Sequence, residues 1–238
     1  SKNYYNTKQD VINAVFRPFE HMYCCIWIRH ENEELPADQL ITPTRGTWWY
    51  DGGLWTNMYQ HKWSPNDLPL YNTWKYLYKV VVLSNKSLHI IDKYSHNLSE
   101  EQRVAYEAEV RALRALFYYY IMDMYGRVPI VTSYEQPQDE VVQSERSEVF
   151  RFIVNELQEV AELLPNERSN KMGNYYGRIT TPVANFLLAK LLLMPRYIVM
   201  IIGLMAFHGT VKRYFSPSMV RNSTLGRPVS NIAINLPR

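Results

Sequence analysis

The stretch EQRVAYEAEVRALRALFYYYIMDMYGRVPIVTS, residues 101–133, reads as one amphipathic helix with an abrupt end. Apolar residues recur at Val104, Ala108, Leu113, Leu116, Phe117, Tyr120 and Ile121, spacings that favour a period of 3.6 over a period of 2. Glu101, Arg103, Glu107 and Arg111 occupy other faces, with Glu107 and Arg111 in the favourable i,i+4 order for a pair. Ser99 is the expected N-cap, with Glu100 and Glu101 near the positive end of the helix dipole. Gly126 can close the helix in a left-handed conformation, and Pro129 forces Val128 into extended backbone, so the helix cannot run on.

Outward from this helix, the composition bounds the class. A chain of 238 residues with 47% hydrophobic content is long and apolar enough to bury a core. Aromatic residues make up 14%, with 19 Tyr and 6 Trp, which suits either a Tyr-rich core or a surface of flat apolar faces with polar tips. The formal charge of +3 hides an asymmetry. Six of the 26 basic residues and none of the 23 acids lie beyond residue 193, so residues 1–193 hold 20 basic against 23 acidic residues, net −3. A mildly acidic body argues against nucleic acid as the partner. Cys24 and Cys25 are neighbours and cannot comfortably bond each other on a helix, so no disulfide framework exists. No signal peptide is visible at the N-terminus, the abrupt start at Ser1 reads as a trimmed leader, and the apolar run 197–205 is too short to span a membrane.

Residues 9–30 read as a helix with Val11, Val15, Phe19, Met22 and Ile26 on one face and Pro18 as a kink or late first turn. His21, Cys24, Cys25 and His30 fit no common zinc spacing and read as stray polar groups on that helix. Residues 31–71 read as a long irregular segment, punctuated by Pro36, Pro43, Gly46, Gly52, Gly53, Pro65 and Pro69. With Trp74 just beyond, this region holds five of the six Trp. Pyranose rings present a C–H face that stacks on an indole or phenol, and their hydroxyls need partners such as Arg, Asn or Asp. Each Trp here either offers such a face or pins the loop to the helices. Residues 72–95 form the next helix, capped by Asn72 or Thr73, with Trp74, Leu77, Val81, Leu88 and Ile91 along one face. Residues 134–146 are polar and loop-like; 147–165 form a helix capped by Ser147 and stopped by Pro165; Thr181-Pro182 opens the last one.

The string from Ala108 to Thr132 resembles the signature helix of the SusD/RagB family: Ala108, Glu109, Arg111, Leu113, Arg114, Ala115, Tyr118, Tyr119, Tyr125, Gly126, Val128, Pro129, Val131 and Thr132 match it. The similarity extends to PTRGTWWYDGGLW at residues 43–55 and to Gly177, Arg178, Thr180, Ala184, Leu187, Leu188, Ala189, Lys190 and Leu193. The resemblance implies a mainly α fold of tetratricopeptide-like helical pairs with long irregular loops, over residues 1–193. It implies non-catalytic binding of an oligosaccharide or other nutrient at the cell surface, for delivery to a TonB-dependent, SusC-like transporter. It further implies the outer membrane as location, through a lipid anchor not present in this chain, with no cofactor and no metal. The ligand-binding candidates are Arg45, Trp48, Tyr50, Trp63 and Asn66. A helical-repeat interaction scaffold and a glycoside hydrolase are the competing readings. The second needs two carboxylates across a bond, and Glu107 and Glu109 sit on a helix whose charges read as solvated.

Beyond Leu193 the texture changes, and the tail 194–238 reads as out of frame. Reading the third base of each codon with the first two of the next turns Met194-Pro195 into Ala, Met200-Ile201 into Asp and Met205-Ala206 into Gly. These fit a continuation of the signature family's helix after a one-base deletion near codon 194.

Overall fold

The computed structural model describes residues 4–193; the tail read above as out of frame lies outside the described residues. Seven α-helices dominate the described chain: α1 (Lys8–Cys25), α2 (Ile28–Glu34), α3 (Leu54–Tyr59), α4 (Leu68–Lys93), α5 (Glu100–Tyr125), α6 (Arg146–Val160) and α7 (Thr181–Leu193). One short antiparallel pair, β1 (Val128–Pro129) with β2 (Gln143–Ser144), follows α5.

Cross-helix contacts show how the helices run. Thr73, Tyr76 and Ser87 of α4 donate to the carbonyls of Ile28, Met22 and Ala14, a falling order that makes α1 and α4 antiparallel. Trp74, Tyr78 and Asn85 meet Tyr125, Tyr118 and Arg114, so α4 and α5 are antiparallel too. Arg111, Arg114 and Tyr118 meet Glu159, Glu156 and Phe152, and α6 therefore runs back along α5. The expected helical pairs are thus present, with α5 central: from Ala108 to Met122 it is buried on nearly all sides.

Several boundaries differ from the sequence reading, each for a local reason. The helix expected over 9–30 divides at Ile26–Trp27, where Arg29 and His30 bond the carbonyls of Ile26 and Trp27 in tighter i,i+3 turns. Pro18 lies inside α1, so the Ala14 carbonyl loses its helical donor; the Ser87 hydroxyl of α4 supplies one at 2.8 Å. The segment 31–71 is not irregular throughout, since α2 runs to Glu34 and Gly53, with φ 84°, leads into α3. α4 starts at Leu68 rather than Asn72, because Pro69 in its first turn gives up an N–H that has no helical partner there. Thr73 is no cap; it is buried and accepts from Asn32 Nδ2 at 2.5 Å. Ser147 is not the cap of α6 either: Glu145 is, and its N–H donates to Glu148 Oε2 at 2.8 Å. Residues 134–146 are not all loop, since β2 lies within them. Ser99 caps α5 as expected, in a reciprocal box with Gln102.

Two glycines test the turn geometry. Gly126 ends α5 with φ 75° and ψ −98°, and open space surrounds the position of a Cβ. Gly177 has φ 72°, and a Cβ there would strike the hydroxyl of Tyr23, which donates to the Gly177 carbonyl at 2.7 Å. Gly126→Ala should therefore cost only backbone strain, about 1–3 kcal/mol, and Gly177→Ala should cost more by displacing Tyr23. Urea midpoints of the two variants check this order.

Candidate functional site

The segment between α2 and α4 is held in unusual backbone conformations. Arg45 and Trp48 exchange two backbone hydrogen bonds of 3.1 Å around Gly46, forming a tight hairpin. Trp49, Asp51 and His61 all have positive φ, a conformation costly for non-glycine residues. Each is tied by a contact: Trp49 meets the Trp55 ring edge-on at 5.8 Å, Asp51 accepts from Trp55 Nε1 at 2.6 Å, and His61 Nε2 lies 2.8 Å from the Pro36 carbonyl. That last distance puts the ring proton on Nε2. The His61 ring in turn packs on Trp63 at 5.3 Å.

Trp63 opens onto a cleft of about 550 Å³ lined also by Pro65, Leu70, Tyr71, Trp74 and Tyr125. Tyr125 stands perpendicular to Trp74 at 5.0 Å, and Trp74 lies against Tyr78 at 4.5 Å. The Tyr125 hydroxyl donates to the Leu70 carbonyl at 2.7 Å, and burial pushes its pKa up to about 12, so it stays a neutral donor. Trp63 is 42% exposed and Tyr71 52%, so both reach solvent beside the half-buried Trp74. The volume is in the range of small-molecule sites, and the lining is apolar with few polar atoms.

Of the five residues expected to bind ligand, the structure brings one, Trp63, into this cleft. Asn66 is exposed in the turn before α4, where its N–H donates to Ser64 Oγ at 3.3 Å, next to Pro65 of the lining. Arg45, Trp48 and Tyr50 are exposed on or beside the hairpin and are not among the lining residues. Sequence reasoning missed Tyr71 and Tyr125 as site residues and counted Trp74 with the loop Trp and on a helix face without naming it as a ligand contact. The signal was present: Tyr71 and Trp74 are three apart, so both reach one side of α4.

The charges of α5 are not solvated as expected. Glu109 is fully buried and takes two hydrogen bonds from Arg178, one of 3.0 Å to Arg178 Nε. Burial pushes its carboxyl up, and the Arg178 charge offsets this only in part. The expected Glu107–Arg111 pair does not form. Glu107 pairs with Arg103 at 3.1 Å, and Arg111 reaches across to Glu156 at 2.7 Å and to Glu159. Arg114, also buried, bonds Glu156 at 2.7 Å, Asn85 Oδ1 at 2.7 Å and the Thr132 carbonyl at 3.1 Å. Tyr118 completes this set, donating to the Val131 carbonyl and accepting from its N–H. These motif residues fasten α5 to its neighbours and are not offered to the cleft. No helix among the described residues is long and apolar enough to cross a membrane.

A family model, SusD-like, described as "Starch-binding associating with outer membrane", matches residues 29–193. A SusD-like protein from Bacteroides ovatus is 29% identical over 130 residues, covering 53% of this chain and 23% of its own. The starch-binding protein SusD from Bacteroides thetaiotaomicron is 23% identical over 160 residues, covering 65% of this chain and 24% of its own. A solved laminarin-binding SusD-like protein shares the fold with a TM-score of 0.67 at 21% identity, over 80% of this chain and 41% of that one. The chain spans about a quarter of the length of the curated relatives it matches.

Proposed function

The chain belongs to the SusD-like family, and from that premise we propose that it contributes the aromatic face of a carbohydrate-binding site at the outer membrane. The bound glycan passes on to a TonB-dependent, SusC-like transporter, and a lipid anchor holds the protein at the surface. The observation that carries this reading is the cleft, where the exposed Trp63 and Tyr71 stand beside Trp74 and Tyr125. The names of relatives agree in kind, since one is starch-binding and a solved one laminarin-binding. In this reading the chain binds the glycan without turning it over, where glycoside hydrolysis would need two carboxylates across the bond. On the same view Asn66, exposed next to Pro65, supplies an amide at the rim, and the exposed Arg45, Trp48 and Tyr50 of the hairpin add a second aromatic and cationic surface. Residues 194–238 are, in the same reading, an out-of-frame continuation, which the DNA sequence around codon 194 decides.

Trp63→Ala is the test. Ring stacking of this kind contributes about 1–3 kcal/mol, so affinity for laminarin or amylose should fall roughly tenfold or more by calorimetry. The melting free energy should change by only about 1 kcal/mol, because the ring is 42% exposed. A loss of about 3–5 kcal/mol in stability would make Trp63 a pin of the loop instead. Unchanged affinity for both glucans would remove it from the site.

A further inference from the structure

α4 carries four lysines, Lys75, Lys79, Lys86 and Lys93, spaced 4, 7 and 7 residues apart, and a single acid, Asp92. At 100° per residue these spacings keep all four within about 40° of one line, roughly 27 Å long. Val82, 45% exposed, lies on the same line. None of the four joins an ion pair among the described residues. Such a single-sign row is unexpected on a body that is otherwise net acidic.

The row joins two cavities. At its start, Lys75 Nζ sits 5.1 Å above the ring of Tyr71, at the lip of the aromatic cleft. Further along, Lys79 and Lys86 line a second cleft of about 270 Å³ between α1 and α4, together with Arg17 and His21 and with no carboxylate in the lining. Arg17 is already paired with Glu20 at 2.5 Å, whereas Lys79 and Lys86 join no ion pair among the described residues, and Lys86 Nζ lies 5.9 Å over the ring of Tyr134. An extended ligand leaving the stacking platform past Tyr71 thus meets fixed positive charge along the helix.

We infer that the ligand is a polyanionic glycan, bearing carboxylate or sulfate groups, whose chain runs from the aromatic cleft along the α4 lysine row. This rests on the carbohydrate-binding reading above and narrows its substrate class. Ring stacking supplies the part of the affinity that is independent of salt. The lysines, of which Lys75, Lys79 and Lys93 are exposed and Lys86 half-buried, supply a part that is screened over a Debye length of about 8–10 Å.

The experiment measures binding of the full chain to polygalacturonate, chondroitin sulfate and neutral laminarin at low and high salt. The variants are Lys79→Gln/Lys86→Gln, with Lys171→Gln, an exposed lysine outside α4 and outside both clefts, as a control. At least one polyanion should bind more tightly than laminarin at low salt, and the advantage should vanish at high salt. The double variant should lose roughly threefold to tenfold for the polyanion, the worth of two screened charge contacts, and nothing for laminarin; the control should lose nothing. Laminarin bound as well as either polyanion, or a polyanion unaffected by the double variant, overturns the inference and leaves the carbohydrate reading standing. No binding to any of the three overturns both. Lysine-dependent binding to anionic phosphatidylglycerol vesicles, with none to the polyanions, makes the row a membrane contact and overturns the inference.

Discussion

Arg178→Ala is expected to destabilise the helical unit by about 3–5 kcal/mol at neutral pH, because it strands a carboxylate that has no access to water. Glu109 is 0% exposed, and Arg178 is its partner through both guanidinium bonds. The same arginine lies over the rings of Phe16 and Tyr175 at 5.1 and 5.0 Å, so the chain loses packing as well as charge. In a domain of this size the loss corresponds to a melting temperature lower by about 6–20 °C. The sign of the pH dependence follows from burial. Burial raises the Glu109 pKa above its ordinary value near 4.5 even with Arg178 present, and losing the arginine raises it further. A carboxyl with a raised folded-state pKa contributes stability that is complete below the ordinary value and is lost as pH rises through the folded value. The deficit of Arg178→Ala should therefore widen from about pH 4.5 toward neutrality. Adding Glu109→Gln to Arg178→Ala should recover part of the loss at pH 7, because the amide needs no counter-charge. Chemical denaturation at several pH values checks this. A double variant no more stable than Arg178→Ala at neutral pH would show that packing, and not the stranded charge, sets the cost.

Arg114→Met is expected to cost a comparable amount, about 3–5 kcal/mol, by a different route. Methionine fills much of the same volume but leaves Asn85 Oδ1 and the Thr132 carbonyl without their donor, and removes one of the two arginines on Glu156. Burial alone would push the Glu156 carboxyl up, but Arg111 and Arg114 together outweigh it and hold the pKa below 4.5. A depressed carboxyl contributes stability that is present above its ordinary value and lost as pH falls through the folded one. The native chain should thus lose stability on acidification below about pH 4.5. Without Arg114 that contribution is smaller to begin with, so the gap between native chain and variant should narrow as pH falls toward 3. A gap that stays constant over this range would mean that the orphaned amide and carbonyl, rather than the ion pair, carry the loss.

Both predictions involve α5 charges, and the sequence reading placed Glu109 on a helix of solvated charges and paired Arg111 with Glu107. Arg111 and Glu107 have the spacing of a helical pair, yet Arg111 pairs with Glu156, 45 residues away, and Glu109 with Arg178, 69 residues away. What the sequence determined by itself was local: the period of 3.6 along α5, the Ser99 cap at its start, and the Gly126-to-Pro129 stop. Those features depend on neighbours within about four positions, and backbone hydrogen bonding and steric restriction act at that range. The seven-residue periodicity of lysines along α4 was equally available to reading, although the second cavity beside it was not. Only the tertiary structure decided that Ser87 replaces the donor missing at Pro18, and that Trp63 joins Trp74 and Tyr125 while Arg45, Trp48 and Tyr50 stay outside the cleft. These juxtapositions join residues tens of positions apart, and they follow from the register in which α4, α5 and α6 pack. That register is set by the whole buried surface, which no single segment of the sequence encodes.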